Sequence, residues 1–479
     1  MPSTTNFSNN DDADENDGIE LPVVNDATRK TSSFDDAESL DDGHGGITLP
    51  MGGTETAQIT VNIIISFVGA GLLGIPKAFS RAGWLLGALS LFAISALNVY
   101  AMLLLPKVRR RLAQDRGIDC HSYGAMGSIL MGSHGEILVN ICLVVSQTGF
   151  ATAYLIFIAE SLVSRVARWK VCFGCVPGLA LLVQARDMKH LSPFSLLANL
   201  ANLVGLSAVL IQDVETLEEP AVLREQVDTE IHAIKWGGAL YVMAVTLYSM
   251  EGVGLILSLE HSCRDRNKFP GLLMRVVGGI TLFMALFGAA GYWAFGDETM
   301  APITLNLGHG KAATLVQGAL CVALYFTYPV MMFPVWTIAE ERILALNDSE
   351  SEEYEAAKLE EQEFEEENEQ DEASHVHHVP SSANGWKKRV MRASVVLTTA
   401  LVAYAVPDFG EYLSLVGSSI CTILGFLLPA YFHLQVCGSE LHPAERTLNW
   451  FLLVGGSIFA LVGSIQSASH MIAGTDGID

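Results

Sequence analysis

Apolar stretches long enough to cross a bilayer recur along this 479-residue chain, and they constrain its fold more than any other feature. A transmembrane helix needs about 20 mainly apolar residues to cross a hydrocarbon core about 30 Å thick. Because a backbone in lipid has to satisfy its own hydrogen bonds, each stretch is predicted to be a helix. The predicted spans, numbered 1 to 11 in chain order, cover 56–79, 83–105, 136–163, 171–186, 191–212, 234–259, 271–295, 312–339, 388–406, 411–437 and 447–470. The sequence therefore predicts an all-α membrane protein with eleven transmembrane helices.

The acidity of the chain is confined to two segments. The formal net charge is −24, although only 17% of the residues are charged and 50% are hydrophobic, a composition that argues against a soluble multi-domain protein. Residues 1–50 contain 12 acidic and two basic residues, and residues 348–374 contain 14 acidic residues and one basic residue. Such segments cannot bury enough apolar surface to fold, so both are predicted to be disordered. The predicted organisation is an acidic tail at 1–52, spans 1–8 within 53–340, an acidic loop at 341–386 and spans 9–11 within 387–473.

Basic residues near the span ends predict the orientation in the membrane. Lys107 and Arg109–Arg111 follow span 2, Arg266 and Lys268 follow span 6, and Lys387–Arg389 precede span 9. The loops on the opposite side hold fewer basic residues. Because Lys and Arg accumulate in cytoplasmic loops, the N-terminus and both acidic segments are predicted to be cytoplasmic.

Spans 1 and 6 carry glycine-rich interruptions near their centres. Three glycines lie within Gly69–Gly74, followed by Pro76, and span 6 contains Gly252 and Gly254 beside Glu251. Glycine and proline weaken a helix, so both spans are predicted to be discontinuous. The spacing in span 1 also matches the dinucleotide fingerprint G-x-G-x-x-G, but no strand precedes it and no acidic residue follows about 20 residues later. Since the two interrupted spans lie five apart, they run in opposite directions, as in an inverted five-plus-five repeat.

A pair of broken helices can bind both ends of a free amino acid. Half-helix N-termini present free N–H groups and positive dipole ends to an anionic group. Exposed carbonyl groups at the break can hold an ammonium group. The alternative is that the glycines only allow close helix packing, which explains a single break more readily than a symmetric pair.

Longer strings at matching places in chain order extend these motifs. They are SFVGAGLLGIPKAFSRAGW (66–84), SQTGFATAYLIFIAESL (146–162), KHLSPFSLLANL (189–200), LYSMEGVGLILSLE (247–260), GYWAFGDETMAPITLNL (291–307), LYFTYPVMMFPV (324–335) and PDFGEYLSLVGSSICTILGFLLPAYFHL (407–434). The chain resembles the amino acid/auxin permease family, in particular the vacuolar amino-acid exporters of plants and yeast and the animal proton-coupled transporters. The resemblance covers nearly all of 55–470 and leaves out the acidic segments.

The resemblance implies more than the spacing does. It implies a LeuT-like fold with discontinuous helices 1 and 6, in which spans 1, 2, 6 and 7 rock against the rest. It also implies transport of neutral amino acids, commonly driven by protons, and it favours a vacuolar or lysosomal membrane over the plasma membrane.

The predicted substrate site consists of residues at both breaks and one residue from each of two neighbouring spans. The candidate contacts are Gly69, Ala70, Gly71, Leu72, Leu73 and Gly74 in span 1, Ser249, Met250, Glu251 and Gly252 in span 6, Gln147 in span 3 and Thr327 in span 8. Tyr325 and Tyr328 beside Thr327 are predicted to border the same pocket.

Three residues are candidates for binding the coupling ion, namely Asn62, Glu251 and Thr327. A carboxylate in mid-membrane is costly, so Glu251 either titrates with the transported proton or fixes the unwound backbone. The resemblance places a histidine at the position of Asn62 in the animal proton-coupled members, and this chain departs from that pattern. Ligation of Na⁺ by Asn62 and simple interhelical hydrogen bonding are the alternatives there.

These observations predict a secondary active transporter that moves small neutral amino acids by alternating access, coupled to H⁺. The alternatives are coupling to Na⁺, or an amino-acid sensor on the same fold. The spans hold too few acidic or histidine side chains at one depth for catalysis, so the chain is not predicted to be an enzyme. Cys172 and Cys175 lack the second pair that a zinc site usually needs, and no metal, cofactor or nucleic-acid partner is predicted.

Overall fold

The structure, a computed structural model, describes most of the predicted transmembrane region. The described residues are 69–120, 122–184, 204–213, 231–263, 265–307, 310–340, 384–438 and 440–475, together with Thr60, Ile63, Ile64, Phe67 and Ala201. The acidic tail, residues 341–383 of the acidic loop, most of span 5 and the candidate ion ligand Asn62 lie outside these residues.

Seven helices in the described part of the chain are long and apolar enough to cross a membrane. They correspond to predicted spans 2, 3, 6, 7, 8, 10 and 11, and they run over Trp84–Arg116, Ser133–Leu162, Trp236–His261, Phe269–Glu298, Ala313–Glu340, Phe409–Cys437 and Pro443–Ala473. The described residues form helices and their connections, without a strand. The prediction of an all-helical, multi-pass membrane protein is confirmed.

The other four predicted spans do not meet the length and hydropathy of a membrane-crossing helix within the described residues. Their described helices are Ile75–Ala82 in span 1, Arg168–Leu182 in span 4, Val204–Asp213 in span 5 and Asn384–Ala405 in span 9. The helix of span 9 begins with Lys387–Arg389, so its first turns are basic rather than apolar. The total of eleven spans stays a prediction.

Large apolar side chains point outward around the bundle. Leu89, Leu286, Leu315 and Ile458 are each more than half exposed, and they come from spans 2, 7, 8 and 11. A soluble protein rarely exposes so extended an apolar surface, whereas lipid tails cover it without penalty. This surface identifies the lipid bilayer as the surroundings of the bundle.

Span 2 extends well past its predicted end. It was expected over 83–105 but continues to Arg116, where Gly117 stops the helix with a φ of 65°. The basic residues that were expected in a loop therefore lie on the helix. The side chain of Arg109 is only 3% exposed and pairs with Asp119 at 2.8 Å, so this charged turn is held by ion pairs that hydropathy alone does not register.

A short helix that the sequence did not predict connects spans 2 and 3. It covers Tyr123–Met131, begins where the Ser122 hydroxyl accepts a hydrogen bond from the Ala125 N–H at 3.1 Å, and ends at Gly132. Nine residues are too few to span a bilayer, which is why a search for apolar spans passes over them.

Span 10 changes its helical type near its middle. An α-helix over Phe409–Val416 is followed by π-helical turns at Gly417–Cys421 and Ile423–Leu427, and the α-helix resumes at Leu428. A Cβ atom on Gly417 would lie 1.9 Å from the Ala244 carbonyl oxygen, so span 10 touches the backbone of span 6 here. The widened turns thus lie directly against the first half of span 6.

Candidate substrate site at two helix breaks

The helix of span 6 is interrupted where its glycines predict. Its first half, Ala239–Ser249, is separated from its second half, Ile256–His261, by a non-helical Met250–Gly252 segment and a 3-10 turn at Val253–Leu255. Gly252 leaves the helical region with φ −167° and ψ 7°. A Cβ atom at this glycine would lie 2.8 Å from the ring of Phe67, so the break also fits closely against span 1.

Two side chains satisfy the backbone groups that this break releases. The Asn98 side-chain amide, from span 2, donates to the Met250 carbonyl oxygen at 2.6 Å in a buried position. The Glu251 carboxylate accepts hydrogen bonds from the backbone N–H groups of Val253 and Gly254. Glu251 therefore caps the 3-10 turn that leads into the second half of span 6, where a negative charge also complements the helix dipole.

Span 1 has the matching interruption. Gly69 is extended with φ −123° and ψ −165°, a 3-10 turn runs over Ala70–Gly74, and the α-helix Ile75–Ala82 follows with Pro76 in its first turn. All five residues of the 3-10 turn are buried. Because the first turn of a helix leaves N–H groups without intrahelical partners, this segment offers backbone donors in mid-bundle.

The two breaks touch each other. A Cβ atom on Gly71 would lie 2.6 Å from the Ser249 hydroxyl oxygen and 2.8 Å from a ring carbon of Tyr248. The Ser249 hydroxyl donates to the Val245 carbonyl within its own helix at 2.8 Å. The predicted residues Gly69–Gly74 and Ser249–Gly252 are thus brought together in one region of the bundle.

The candidates from spans 3 and 8 differ in their surroundings. Gln147 is half-buried, and Phe150, one turn further along span 3, makes an edge contact with Tyr248 at a ring-centroid distance of 4.8 Å. Thr327 is half-buried, and its hydroxyl donates to the Ala323 carbonyl of its own helix at 2.8 Å. Span 3 is therefore tied to the breaks through an aromatic pair, and the hydroxyl hydrogen of Thr327 is used within span 8.

The hydroxyl groups of the two tyrosines beside Thr327 bond to other helices. The Tyr328 hydroxyl lies 2.7 Å from the Thr399 hydroxyl of span 9, and the Tyr325 hydroxyl donates to the Cys175 carbonyl of span 4 at 3.5 Å. Their hydroxyl groups hold span 8 to its neighbours, and it stays a prediction that the two side chains border the substrate pocket.

Sequence reasoning did not single out Asn98 or a polar cluster at one end of the bundle. A cavity of about 500 Å³ opens there, lined by Arg81, Gly237, Gly238, Tyr241, Asp408, Glu411, Gln466, His470 and Ala473. Glu411 and Arg81 form an ion pair across spans 10 and 1, and the Arg81 guanidinium carbon lies 4.1 Å from the centre of the Tyr241 ring. In the sequence, Asn98 is visible only as a single polar residue within an apolar span, and such a residue is usually interpreted as an interhelical hydrogen bond.

Ion pairs join the helices at the opposite end, where spans 2 and 6 finish. Glu260 is 1% exposed and pairs with Arg110 at 2.9 Å and Arg109 at 3.5 Å. Arg111 pairs with Glu440 at 2.6 Å across to the connection between spans 10 and 11. These bonds fasten span 2 to the second half of span 6 and to that connection, so this end of the bundle is tied together.

Comparison with known proteins adds independent findings. The sequence profile of the family described as transmembrane amino acid transporter protein matches residues 52–472. The amino acid transporter AVT3B of Arabidopsis thaliana is 34% identical over 431 residues, which cover 86% of this chain and 92% of the relative. Vacuolar amino acid transporter 3 of Schizosaccharomyces pombe is 24% identical and is matched over 94% of this chain and 64% of the relative. A manganese transporter of Eremococcus coleocola covers 92% of both chains at 13% identity and a TM-score of 0.43, a similarity too low to establish a shared fold.

Proposed function

Because the chain belongs to the transmembrane amino acid transporter protein family, we propose that it carries its substrate between the breaks of spans 1 and 6 by alternating access. The relatives described above are transporters and not enzymes. The observation that carries the proposal is the contact of Gly71 with Ser249, which joins two interrupted helices in mid-bundle. Irregular backbone at membrane depth is tolerated where it is buried in protein or lines a cavity, and in transporters such breaks hold the substrate.

The proposed substrate is a small neutral amino acid. Its carboxylate would bind the N–H groups of Ala70 and Gly71 at the start of the second half of span 1, where the helix dipole is positive. Its ammonium group would bind carbonyl oxygens released by the break in span 6. Tyr248, Ser249 and Phe150, which lie at the breaks, are uncharged, and uncharged surroundings suit a neutral side chain.

Transport is proposed to be driven by protons, with Na⁺ as the alternative. The alternative of Na⁺ rests on two candidate oxygen ligands, the side-chain amide oxygen of Asn62 and the hydroxyl oxygen of Thr327. The Thr327 oxygen keeps its lone pairs while its hydrogen is donated to the Ala323 carbonyl. Glu251 is proposed to fix the unwound backbone rather than to carry the proton, because backbone N–H groups already occupy its carboxylate.

The proposed setting is a vacuolar or lysosomal membrane, since the yeast relative is named a vacuolar transporter. The basic turn of span 2 and the basic start of span 9 support a cytoplasmic N-terminus, with both acidic segments on the same side. Two breaks five predicted spans apart support eleven helices arranged as an inverted five-plus-five repeat.

Uptake of labelled amino acids into proteoliposomes tests the proposal. Small neutral amino acids are expected to accumulate when a pH gradient is imposed, and to stop accumulating when an ionophore collapses it. Accumulation with a Na⁺ gradient alone would assign coupling to Na⁺. Binding without flux under either gradient would indicate a sensor, and protein-free liposomes give the leak rate.

A further inference from the structure

The cavity at the end of spans 1 and 10 contains a buried carboxylate that is only partly satisfied. The Glu411 side chain is 3% exposed. Its Oε1 atom pairs with the Arg81 guanidinium and also lies 3.4 Å from Nδ1 of His470. Its Oε2 atom is buried and has no hydrogen-bond partner among the described residues. A proton on this carboxylate would remove the charge of a group that half lacks partners, and such groups are costly to bury.

This carboxylate connects helices that the proposed transport cycle has to separate. Arg81 belongs to span 1, Glu411 to span 10 and His470 to span 11, and Tyr241 of span 6 lies against the Arg81 guanidinium. While Glu411 is charged, its pair with Arg81 holds span 1 to span 10 at the mouth of the cavity. Once Glu411 is neutral, that Coulomb attraction is lost, and Arg81, already 29% exposed, can be hydrated from the cavity.

His470 provides the route for a proton. Its side chain is 49% exposed and lines the same cavity, so its ring is open to the solution there. Its Nδ1 atom faces the Glu411 Oε1 atom, so an imidazolium at this position can donate directly to the buried carboxylate.

Charged and titratable groups surround the pair on every helix packed against it. They are Lys77 and Arg81 of span 1, Glu160 of span 3, Arg168 of span 4, Tyr241 of span 6, Asp408 at the head of span 10 and His470 of span 11. The Arg168 guanidinium donates to the Ala403, Val406 and Pro407 carbonyl oxygens, and Glu160 accepts from the Phe409 N–H at 2.8 Å. These two residues are thus committed to the connection between spans 9 and 10, which leaves Arg81 and His470 as the direct partners of Glu411.

We propose that Glu411 and His470 form the binding site of the coupling proton, and that this proton opens the cavity end of the bundle by neutralising the partner of Arg81. A proton from the cavity binds Nδ1 of His470 and then passes to the Glu411 carboxylate. The N–H bond breaks, an O–H bond forms, and both side chains end neutral. This inference rests on the proton coupling proposed above and places the coupling site at the mouth of the bundle, away from Glu251.

The test uses the full chain in proteoliposomes with tritiated alanine and two readouts. Counterflow exchange reports substrate binding and alternation without a gradient, and accumulation driven by an imposed pH gradient reports coupling. Glu411→Gln is expected to lose accumulation, because a neutral amide cannot take up the proton, while it still exchanges alanine at a rate altered by the loss of the ion pair with Arg81. His470→Gln is expected to slow accumulation by about tenfold or more, with partial rescue by added imidazole. His134→Gln, which removes an exposed histidine outside the cavity, should change neither readout.

Accumulation by Glu411→Gln equal to that of the unsubstituted protein would overturn the site, and an unchanged rate in His470→Gln would overturn the relay. If Glu411→Gln loses exchange as well, Glu411→Asp decides. A shifted pH profile of accumulation in Glu411→Asp supports the site, and an unchanged profile with normal exchange refutes it. If the unsubstituted protein exchanges alanine but ignores the pH gradient, proton coupling itself fails. If it responds and Glu411→Gln responds equally, only the proposed site fails.

Discussion

Replacing Asn98 tests how the break in span 6 is held open. Its side-chain amide donates to the Met250 carbonyl oxygen at 2.6 Å, and both residues are at most 1% exposed. Asn98→Leu keeps the branched shape of the side chain and replaces its polar atoms by methyl groups, whereas Asn98→Ala would add the effect of a cavity. The leucine variant therefore tests the hydrogen bond together with a modest increase in side-chain volume.

The expected loss is about 1 kcal/mol. A buried acceptor left without its donor costs about 1–3 kcal/mol, and interhelical hydrogen bonds in membranes average about 0.6 kcal/mol with a maximum of about 1.7 kcal/mol. No solvent reaches Met250 to replace the amide. Removal of the Asn98 Oδ1 atom, which is buried and has no hydrogen-bond partner among the described residues, offsets part of the loss. If this loss of about 1 kcal/mol destabilises the conformation of the break that binds substrate, the affinity for substrate weakens about fivefold.

The assay combines the thermal midpoint of the purified protein with the substrate concentration that half-saturates exchange. Asn98→Leu should lower the midpoint and raise the half-saturating concentration. Ser95→Ala is the matched control, because Ser95 is buried on the same helix and its hydroxyl has no partner in the described part of the chain. Normal stability and normal affinity in Asn98→Leu would refute the idea that this amide supports the break.

Three further predictions concern the cap at the break in span 6, the buried ion pairs of span 2 and the bond between spans 8 and 9. Glu251→Gln should keep pH-driven accumulation and lower thermal stability, because an amide oxygen caps a helix less well than a carboxylate. Loss of the pH response with unchanged stability would instead assign the proton to Glu251. Glu260→Gln should destabilise the protein by about 2 kcal/mol, because the buried Arg109 keeps Asp119 but loses the second carboxylate that it faces. Glu445→Gln, in an exposed pair with Lys107, should cost less than about 1 kcal/mol, and equal midpoints of the two variants would contradict this. Tyr328→Phe should lower the free energy of unfolding by about 1 kcal/mol. If the two hydroxyl groups bond to each other, adding Thr399→Val should lower it little further, and fully additive losses in the double variant would argue against the bond.

The broken helices could be predicted because their cause is local. Glycines at 69, 71, 74, 252 and 254 weaken a helix wherever it lies, and the structure interrupts both spans within a residue or two of those positions. The apolar length of span 10 likewise predicts a helix there, but its π-helical turns lie against the backbone of Ala244 in span 6, a contact that no pattern within span 10 contains.

Contacts between distant parts of the chain could not be predicted in the same way. Asn98 and Met250 are 152 positions apart, and Arg81 and Glu411 are 330 positions apart. In the sequence, each residue is only a polar side chain that lowers the hydropathy of its span. Its partner is identified only once the helices are arranged in three dimensions. The basic turn of span 2 was assigned to a loop for the same reason, because Glu260 and Asp119 neutralise it from elsewhere in the fold.

The measurement that tests the substrate site most directly is alanine counterflow by Gly71→Ala beside Gly278→Ala. The added methyl group at position 71 would lie 2.6 Å from the Ser249 hydroxyl oxygen, where the two breaks meet, whereas at position 278 it meets nothing within 4 Å. Overpacking of about 1–3 kcal/mol at the breaks should slow exchange by about tenfold or more in Gly71→Ala, while the folded protein is still recovered. Gly278→Ala should exchange at the normal rate. Normal exchange by Gly71→Ala would contradict a substrate site between the broken spans.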